Sequence, residues 1–192
     1  MPRLFLIRHG ETAWSLSGQH TSRTDLPLTD NGRAAAAKLP ARLAKYSFAL
    51  VLTSPRLRAR ETAKLAGFPN AEVCEDLREF DYGEYEGLTK AQIRAKAPGW
   101  NSVLTDPCPG GETPAQVAAR AQRVAARVRA TNGDCLVFTH GHLGRILAAC
   151  WLGQPPIFAQ QFSLDTTTLS ILGDDGGRAY IQAWNCGAEN EK

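Results

Sequence analysis

The sequence predicts an α/β fold, in which a mostly parallel sheet is flanked by helices on both faces. Short apolar runs that suit buried strands, beginning with LFLI at residues 4–7, alternate with segments that suit helices. Serine and threonine residues in capping patterns mark several helix starts. No repeat, low-complexity tract or linker divides the 192 residues, so we expect one domain over residues 1–192.

The first half of the chain supplies three of the predicted strands. They cover residues 4–7, 49–53 and 71–74. A polar loop should follow the first strand through Pro27, and Thr29 can cap a helix from residue 30 to about residue 45. Because Pro40 lies inside that helix, we expect two segments or a bend.

Further helix starts follow the second strand. Ser54 is placed to cap a helix whose first position is Pro55. Thr89 and Gln92 form a capping box for a short helix that should end before Pro98. Two stretches are rich in loop-forming residues and are expected to be irregular, namely 76–88 and 98–112.

A second capping box, Thr113 with Gln116, predicts the longest helix of the chain. Its apolar stripe consists of Val117, Ala121, Val124 and Val128. The remaining elements should be a strand at 136–139, a helix at 143–152 and two strands near 167–172 and 179–184. A Gly-Gly turn at Gly176 would join the last two strands.

Composition narrows the function classes. The net charge of +3 is too small to indicate binding to nucleic acid or to an anionic membrane. No run approaches the ~20 apolar residues of a membrane helix, and the apolar stretch at the N-terminus is too short for a signal peptide. The five cysteines are odd in number and show no CxxC spacing, which favours reduced thiols. We therefore expect a cytoplasmic protein.

Two histidines occupy matched positions in this pattern. His9 and His140 each follow a predicted strand, and each precedes a glycine that lets backbone N–H groups approach a ligand. In an open α/β sheet, ligands bind beyond the carboxyl ends of the strands. A helix N-terminus after His140 would favour an anion there. One histidine at a strand end is more often structural, but two in the same context indicate a shared anion site.

Three arginines follow the second strand, within the first two turns of the predicted helix: Arg56, Arg58 and Arg60. Cations at that end oppose the helix dipole by ~0.3–1 kcal/mol each, so a bound anion would explain them. We expect one of the three to face the crevice, while Arg56 and Arg60 are better suited to solvent.

Together with His9 and His140, Arg8 and one of these arginines could surround a phosphoryl group. The planar guanidinium group donates two parallel hydrogen bonds to phosphate oxygens. A neutral imidazole can attack phosphorus, and the positive charges would stabilise the transition state without a metal or other cofactor.

A leaving group also needs a proton donor. The segment LREFDYGEYEG offers four candidates, Glu79, Asp81, Glu84 and Glu86. A carboxyl group beside a bound phosphate should hold its proton more tightly, because two negative charges repel each other. The residues alone do not choose among the four.

Four segments resemble the motifs of the histidine phosphatase superfamily, the phosphoglycerate-mutase-like proteins. They occur in the order typical of the family, over residues 4–145, as LIRHGETAW, SPRLRARETA, LREFDYGEYEG and FTHGHLGR. The resemblance is closest to the bacterial acid phosphatase and sugar-bisphosphatase branches. It implies a doubly wound sheet of the phosphoglycerate-mutase-like type, and a homodimer is an expectation at the level of the family.

The resemblance also implies roles for individual residues. It makes His9 the phosphorylated nucleophile, and Glu79 the proton donor and later the base for water. The residues that would hold the phosphoryl group are Arg8, Arg58 and His140. Further contacts with the substrate are expected from Ser15, Thr21, Ser22 and the backbone N–H of Gly141.

The resemblance therefore predicts a metal-independent phosphatase that acts on a small phosphorylated metabolite, with broad specificity and a preference for acidic pH. Phosphoglycerate mutases carry an insertion and a tail that keep water off the phosphohistidine, and residues 88–112 and the eight residues after Trp184 leave little room for either. A mutase-type transfer and a catalytically silent phospho-ligand-binding module remain as alternatives. A metal site made of His9, His20, His140 and Asp81 is a weaker one, because the arginines would repel a cation.

Overall fold

The computed structural model describes residues 2–187, and six strands form its sheet. The strands are β1 (Leu4–Arg8), β2 (Leu50–Thr53), β3 (Glu72–Val73), β4 (Cys135–Thr139), β5 (Leu169–Asp175) and β6 (Arg178–Cys186). Their order across the sheet is β3-β2-β4-β1-β5-β6. The first four of these pair in parallel, and β5 and β6 run antiparallel at one edge. The predicted α/β fold with a mostly parallel sheet is confirmed.

Seven α-helices occupy the described residues. They are α1 (Ala13–Ser17), α2 (Asp30–Ala36), α3 (Leu39–Leu43), α4 (Leu57–Leu65), α5 (Lys90–Lys96), α6 (Pro114–Arg129) and α7 (Gly141–Trp151). Short 3₁₀ turns cover Glu75–Leu77, Gly83–Tyr85 and Pro156–Gln161. Within residues 2–187, no helix combines the length and the apolar character that crossing a membrane requires.

Side chains of β1 alternate between two apolar cores, as the pleat of a strand requires. Leu4 and Leu6 join the core formed with α6 and α7. Phe5 and Ile7 join the core formed with α2, α3 and α4. All four side chains are fully buried, so both faces of the sheet are covered.

Local signals placed most helix ends correctly. Both predicted capping boxes form, and Thr29 accepts a hydrogen bond from the N–H of Gly32. Proline divides the predicted helix at 30–45 into two segments, because Pro40 lies in the first turn of α3. The stripe of α6 is buried as expected.

Two local predictions are wrong. The loop before Pro27 contains α1, whose capping box pairs Thr12 with Ser15 rather than with the usual glutamate or glutamine. The helix after β2 begins at Leu57 and not at Pro55, so Ser54 does not cap it. The hydroxyl of Ser54 turns instead toward the next strand, where His140 follows.

Arg120 of α6 fixes the segment that leads to Glu79. Its guanidinium group is 2% exposed and donates to both carboxylate oxygens of Glu112, each at 2.9 Å. It also donates to the backbone carbonyls of Asp76, Arg78 and Glu79. The buried side chain of Arg120 therefore holds the backbone of this irregular segment at three residues.

Arg120→Met should lower the free energy of unfolding by about 3–5 kcal/mol, because it removes a buried donor from three backbone carbonyls and from the half-buried Glu112 carboxylate, which keeps the Asp81 N–H and a longer contact with Arg78. Arg123→Met is the matched control on the same helix. Arg123 pairs with Asp76 at the surface, so its loss should cost no more than ~1 kcal/mol. Urea unfolding followed by circular dichroism measures both variants. Equal losses for the two would contradict the role given to Arg120.

Candidate active site

The two histidines meet because β1 and β4 are neighbours in parallel. Arg8 pairs with Thr139 in the strand register, so the residue after each strand reaches the same edge of the sheet. The N–H of His9 donates to the carbonyl of Thr139 at 2.9 Å. The rings of His9 and His140 lie edge to face, with centroids 5.1 Å apart.

The ring of His9 is held in one tautomer by the adjacent peptide. Its Nδ1 lies 2.7 Å from the carbonyl oxygen of Gly10, which can only accept, so Nδ1 carries the proton. Nε2 has no hydrogen-bond partner among residues 2–187 and keeps its lone pair. Burial, and then the charges of Arg58 and Arg8, hold the pKa of His9 well below its ordinary value. His9 is therefore a neutral base with one free nitrogen.

Ser54 fixes the tautomer of His140. Nε2 of His140 lies 2.7 Å from the buried Ser54 hydroxyl, which also accepts a longer bond from the Arg56 N–H. Among the described residues, that ring nitrogen is the only acceptor within reach of the hydroxyl proton, so Ser54 donates to Nε2. The proton of the neutral ring then lies on Nδ1, which is buried and has no partner in the described part of the chain. Burial, Arg58 and His9 together hold the pKa of His140 well below its ordinary value.

Arg58 is fully buried and is held by backbone carbonyls instead of a carboxylate. Its two terminal nitrogens donate to the carbonyls of Thr21, Ser22 and Thr24 at 3.1–3.4 Å. Its Nε is buried without a partner in residues 2–187. Arg60 is exposed, as expected, whereas Arg56 is half-buried, so its predicted orientation toward solvent is wrong.

Arg8 and Gly141 lie side by side at the sheet edge. Arg8 donates from one terminal nitrogen to the carbonyl of Leu164 at 2.6 Å, and its buried Nε has no partner among the described residues. A Cβ atom added to Gly141 would lie 3.5 Å from the Arg8 guanidinium carbon and 3.7 Å from Oε2 of Glu79. The start of α7 therefore lies directly against both charged groups.

The carboxylate of Glu79 lies at the N-terminus of α7. Oε2 accepts the N–H of His142 at 3.0 Å, and Oε1 accepts the N–H groups of Leu143 and Phe80 at 2.8 and 2.9 Å. Backbone donors and the helix N-terminus both stabilise a negative charge. Glu79 therefore provides a carboxylate that is fixed in position by main-chain bonds beside the cationic cluster.

These groups line or adjoin a cleft of about 540 Å³ that is open to solvent. The predicted site residues in its lining are Arg8, His9, Ser15, Thr21, Glu79 and Gly141. Arg58 and His140 are completely buried and lie behind this lining. Ser22 is not part of the lining, because its hydroxyl donates to the carbonyl of Glu79 and its N–H donates to Glu86.

Only one of the four acidic candidates lines the cleft. Asp81 forms an ion pair with Arg23, and Glu86 accepts the N–H groups of Ser22 and Thr24. Glu84 is exposed. The geometry therefore selects Glu79 as the carboxyl group available to a ligand in the cleft.

Several lining residues were not anticipated from the sequence. They include Trp14, Gln19, Tyr82, Lys90, His142 and Arg145, together with His20, which was considered only as a metal ligand. Arg145 could have been found, because it lies early in α7 and opposes the helix dipole as Arg58 does in α4. Trp14 and Gln19 gave no such signal, since their segment was expected to be an irregular loop.

The chain is similar in sequence to a known family of proteins and to several of its members. The family model of the histidine phosphatase superfamily (branch 1) matches residues 4–187. The chain belongs to this superfamily. An acid phosphatase of Mycobacterium tuberculosis is 42% identical over an alignment of 179 positions, and the match covers 91% of this chain and 88% of that protein. The sedoheptulose 1,7-bisphosphatase of Saccharomyces cerevisiae is 36% identical, over 79% of this chain and 68% of the yeast protein.

The fold comparison agrees with the sequence comparison. The solved structure of the open reading frame Rv3214 of Mycobacterium tuberculosis has a TM-score of 0.90 and 39% identity, and the match covers 97% of this chain and 98% of that one. Other relatives are named phosphoglycerate mutases. The predicted membership of the histidine phosphatase superfamily and its phosphoglycerate-mutase-like fold are confirmed.

The hydrogen-bond pattern makes a spectroscopic prediction for the two histidines. At pH 6, long-range ¹H–¹⁵N spectra of the wild type should show both rings neutral with the proton on Nδ1, since both pKa values lie well below the ordinary value of about 6.5. Ser54→Ala should shift the proton of His140 toward Nε2 and leave His9 unchanged. Ser170→Ala, which removes an equally buried hydroxyl on β5, should alter neither ring. A wild-type His140 protonated on Nε2 would contradict the assignment.

Proposed function

We propose that this protein is a phosphatase that hydrolyses phosphate monoesters of small metabolites through a phosphohistidine at His9. The observation that carries the proposal is the free Nε2 of a neutral His9 beside two buried guanidinium groups, Arg8 and Arg58, that pair with no carboxylate within residues 2–187. Phosphatase relatives support the same reaction.

Binding follows from the unpartnered donors. Nε of Arg8, Nε of Arg58 and Nδ1 of His140 are buried donors without partners in residues 2–187, and phosphoryl oxygens would satisfy all three. Gly141 lines the cleft at the start of α7, where the helix N-terminus also favours an anion. Because these donors are fixed before the substrate arrives, they stabilise the charge of the transition state without reorganisation.

In the first step, Nε2 of His9 forms a bond to phosphorus while the bond from phosphorus to the ester oxygen breaks. Glu79 gives its proton to the departing oxygen. The phosphorylated ring becomes cationic, and the bond from Nδ1–H to the carbonyl of Gly10 stabilises that charge.

In the second step, a water molecule attacks phosphorus, and the Glu79 carboxylate takes its proton. The bond from phosphorus to Nε2 breaks, which releases inorganic phosphate and restores neutral His9. The three backbone N–H bonds hold the carboxyl group of Glu79 in one position for both proton transfers.

The proposed chemistry uses no metal ion. No group of three histidine, cysteine or acidic residues is arranged to hold a metal anywhere in residues 2–187. The cations beside His9 also disfavour a divalent ion, because like charges repel.

Hydrolysis is favoured over the two alternatives. Because the cleft is open to solvent, water can reach a phosphohistidine, which a mutase must prevent. A silent binding module would need neither a nucleophile with a fixed tautomer nor a carboxylate held beside it. The breadth of specificity, the preference for acidic pH and the homodimer stay predictions.

His9→Ala should lower kcat by at least a factor of about 10⁴, while the fold is retained, because the covalent route is lost. When the wild type turns over a substrate with labelled phosphate, a brief quench at alkaline pH should trap a labelled phosphoenzyme. Treatment with acid should then release the label as phosphate, so no acid-stable label should remain on the protein. Wild-type turnover should also persist in EDTA and be blocked by vanadate, which can take up a five-coordinate form that resembles the transition state.

His20→Ala is the control, since His20 lines the cleft but lies against Tyr82 rather than beside His9. It should still form the phosphoenzyme. Normal turnover by His9→Ala would rule out the mechanism, and activity that EDTA removes and added metal restores would rule out its metal independence.

The pH dependence of the hydrolysis of an alkyl phosphate should reveal the role of Glu79 as the proton donor. His9 must be neutral, and its lowered pKa places the acid limb of kcat/KM well below pH 6.5, so activity should extend to acidic pH. The alkaline limb should report loss of the Glu79 proton. Glu79→Gln should therefore lower kcat on the alkyl phosphate by roughly 10²–10⁴-fold and remove that limb. The effect on p-nitrophenyl phosphate should be smaller, because that leaving group hardly needs a proton.

Asp81→Asn serves as the matched control in these profiles, since Asp81 is paired with Arg23. It should keep the wild-type limb on both esters. If Glu79→Gln keeps the wild-type alkaline limb on the alkyl phosphate, Glu79 is not the acid.

A further inference from the structure

Arg8 is held by one short segment at both its main chain and its side chain. The segment is the irregular stretch 162–168, which joins the 3₁₀ turn Pro156–Gln161 to β5. The carbonyl of Leu164 accepts a hydrogen bond from Nη1 of Arg8 at 2.6 Å, and the N–H of Thr167 donates to the carbonyl of Arg8 at 3.0 Å. The position of this segment therefore decides where the Arg8 guanidinium group lies.

The bond to Leu164 selects which edge of the guanidinium group stays available to a ligand. Nη1 is the terminal nitrogen on the side of Cδ, so its use leaves Nε and Nη2, whose outer N–H bonds point in nearly the same direction. Neither nitrogen has a hydrogen-bond partner in residues 2–187. Together they form the fork that donates two parallel hydrogen bonds to phosphoryl oxygens.

Asn185, near the end of β6, holds the other side of the same peptide group. Its Oδ1 accepts the N–H of Asp165 at 2.7 Å, and that N–H shares one peptide group with the carbonyl of Leu164. A trans peptide is planar, so its C=O and N–H point in opposite directions. The Asn185 amide and the Arg8 guanidinium group thus lie at the two ends of one rigid unit. A hydrogen bond at the N–H also makes the carbonyl a stronger acceptor for Arg8.

Further hydrogen bonds fix the Asn185 amide itself. Nδ2 donates to Oδ2 of Asp165 at 2.8 Å, and at 3.4 Å to the hydroxyl of Ser163. The backbone N–H of Asn185 donates to the buried hydroxyl of Ser170 at 3.0 Å. The amide oxygen is therefore directed at the peptide that holds Arg8.

The backbone around these contacts has an unusual conformation. Among residues 2–187, the non-glycine residues with positive φ are Thr167, at 59°, and Asn185, at 54°. Asparagine tolerates this conformation, whereas it is costly for a β-branched threonine. Trp184 and Asn185 also lie opposite Ser170 alone in the pairing of β5 with β6, and a bulge of this kind redirects a side chain. Such strain persists where neighbouring contacts fix the backbone, and both strained residues contact the segment that holds Arg8.

We propose that Asn185 is a positioning residue for Arg8. Its amide holds the peptide between Leu164 and Asp165, and the carbonyl of that peptide keeps the edge formed by Nε and Nη2 of Arg8 available to the phosphoryl group. This proposal rests on the proposed function, in which Arg8 holds phosphoryl oxygens. A guanidinium group that is fixed before the substrate arrives needs no reorganisation in the transition state, so loss of that fixation slows the chemical step.

Asn185→Gly tests the proposal, because it removes the amide while glycine keeps the positive φ without strain. We expect kcat/KM for p-nitrophenyl phosphate to fall by roughly 10–100-fold, and the Kd of inorganic phosphate, measured by calorimetry, to rise by about tenfold. Asn185→Asp combined with Asp165→Asn exchanges the roles of the two side chains. It restores both hydrogen bonds at unchanged net charge, so it should recover most of the activity and of the phosphate affinity.

Trp184→Phe is the matched control. Nε1 of Trp184 donates to the carbonyl of Ser163 at 2.6 Å, in the same segment but at a peptide group that does not contact Arg8. This variant should lower the midpoint of urea unfolding and leave the Kd of phosphate unchanged. Phosphate affinity would follow stability in both variants if Asn185 only supported the fold.

The Nε–Hε signal of Arg8 in ¹H–¹⁵N spectra reports its orientation without any substrate. In the wild type, the order parameters of this signal and of the Arg58 signal should both be high, because both nitrogens are buried. Asn185→Gly should lower the order parameter of Arg8. It should leave Arg58 unchanged, since the carbonyls of Thr21 and Thr24 hold that side chain.

The outcomes separate this inference from the proposed function. If the wild type neither binds phosphate nor hydrolyses p-nitrophenyl phosphate, the proposed function fails and the role of Asn185 falls with it. If the wild type is active and Asn185→Gly matches it in kcat/KM, in the Kd of phosphate and in the Arg8 signal, the role of Asn185 is overturned while the phosphatase stands. An equal rise of the Kd in Trp184→Phe, or no recovery in the exchanged pair, would also overturn it.

Discussion

The parallel pairing of β1 with β4 is the constraint on which the site depends. The register sets Arg8 opposite Thr139, so the two residues that follow these strands leave the sheet at the same level. The rings of His9 and His140, which are far apart in the sequence, then lie in contact. The N–H of His9 also donates a hydrogen bond directly to the neighbouring strand. A shift of one residue would turn one of the histidines to the opposite face.

The electrostatic environment of His9 and His140 depends on arginines that are held by backbone carbonyl oxygens. Arg8 and Arg58 donate to main-chain acceptors, which orient them without cancelling their charge. Their charges, with burial, hold the pKa of His9 well below its ordinary value, so the same groups that favour an anion also keep Nε2 of His9 unprotonated. Glu79 is the one carboxylate in the lining of the cleft, and main-chain donors hold it at the start of α7.

Periodicity and capping were sufficient to predict the layers of the fold. The strands that became β1, β2 and β4 were apolar runs, and the capping boxes at Thr89 and Thr113 lay within the chain segments they cap, so local sequence carried the information. Ser54 is a residue for which prediction from local sequence fails. Its position before a proline is typical of a helix cap, but its hydroxyl bonds to a histidine on another strand, and that competing partner is visible only in three dimensions.

The site was predictable to the extent that its residues lie at strand ends or in motifs. Arg58 could be chosen over Arg56 and Arg60 only by resemblance, because the residues alone left one of three to face the crevice. The structure adds that α4 buries Arg58 against the segment of Thr21 and Ser22. Residues such as Trp14 and Lys90 reach the cleft because tertiary packing brings α1 and the start of α5 beside it, and hydrophobic periodicity does not encode that packing.

The carbonyl-held guanidinium groups have a consequence for the end of the catalytic cycle. Donors that recognise the phosphoryl group of an ester recognise free orthophosphate equally well, because the alcohol portion contributes nothing to those bonds. Departure of the inorganic product is then opposed by the same charges that draw the substrate in. In the proposed reaction, turnover then depends on the concentration of phosphate around the protein and falls as inorganic phosphate accumulates.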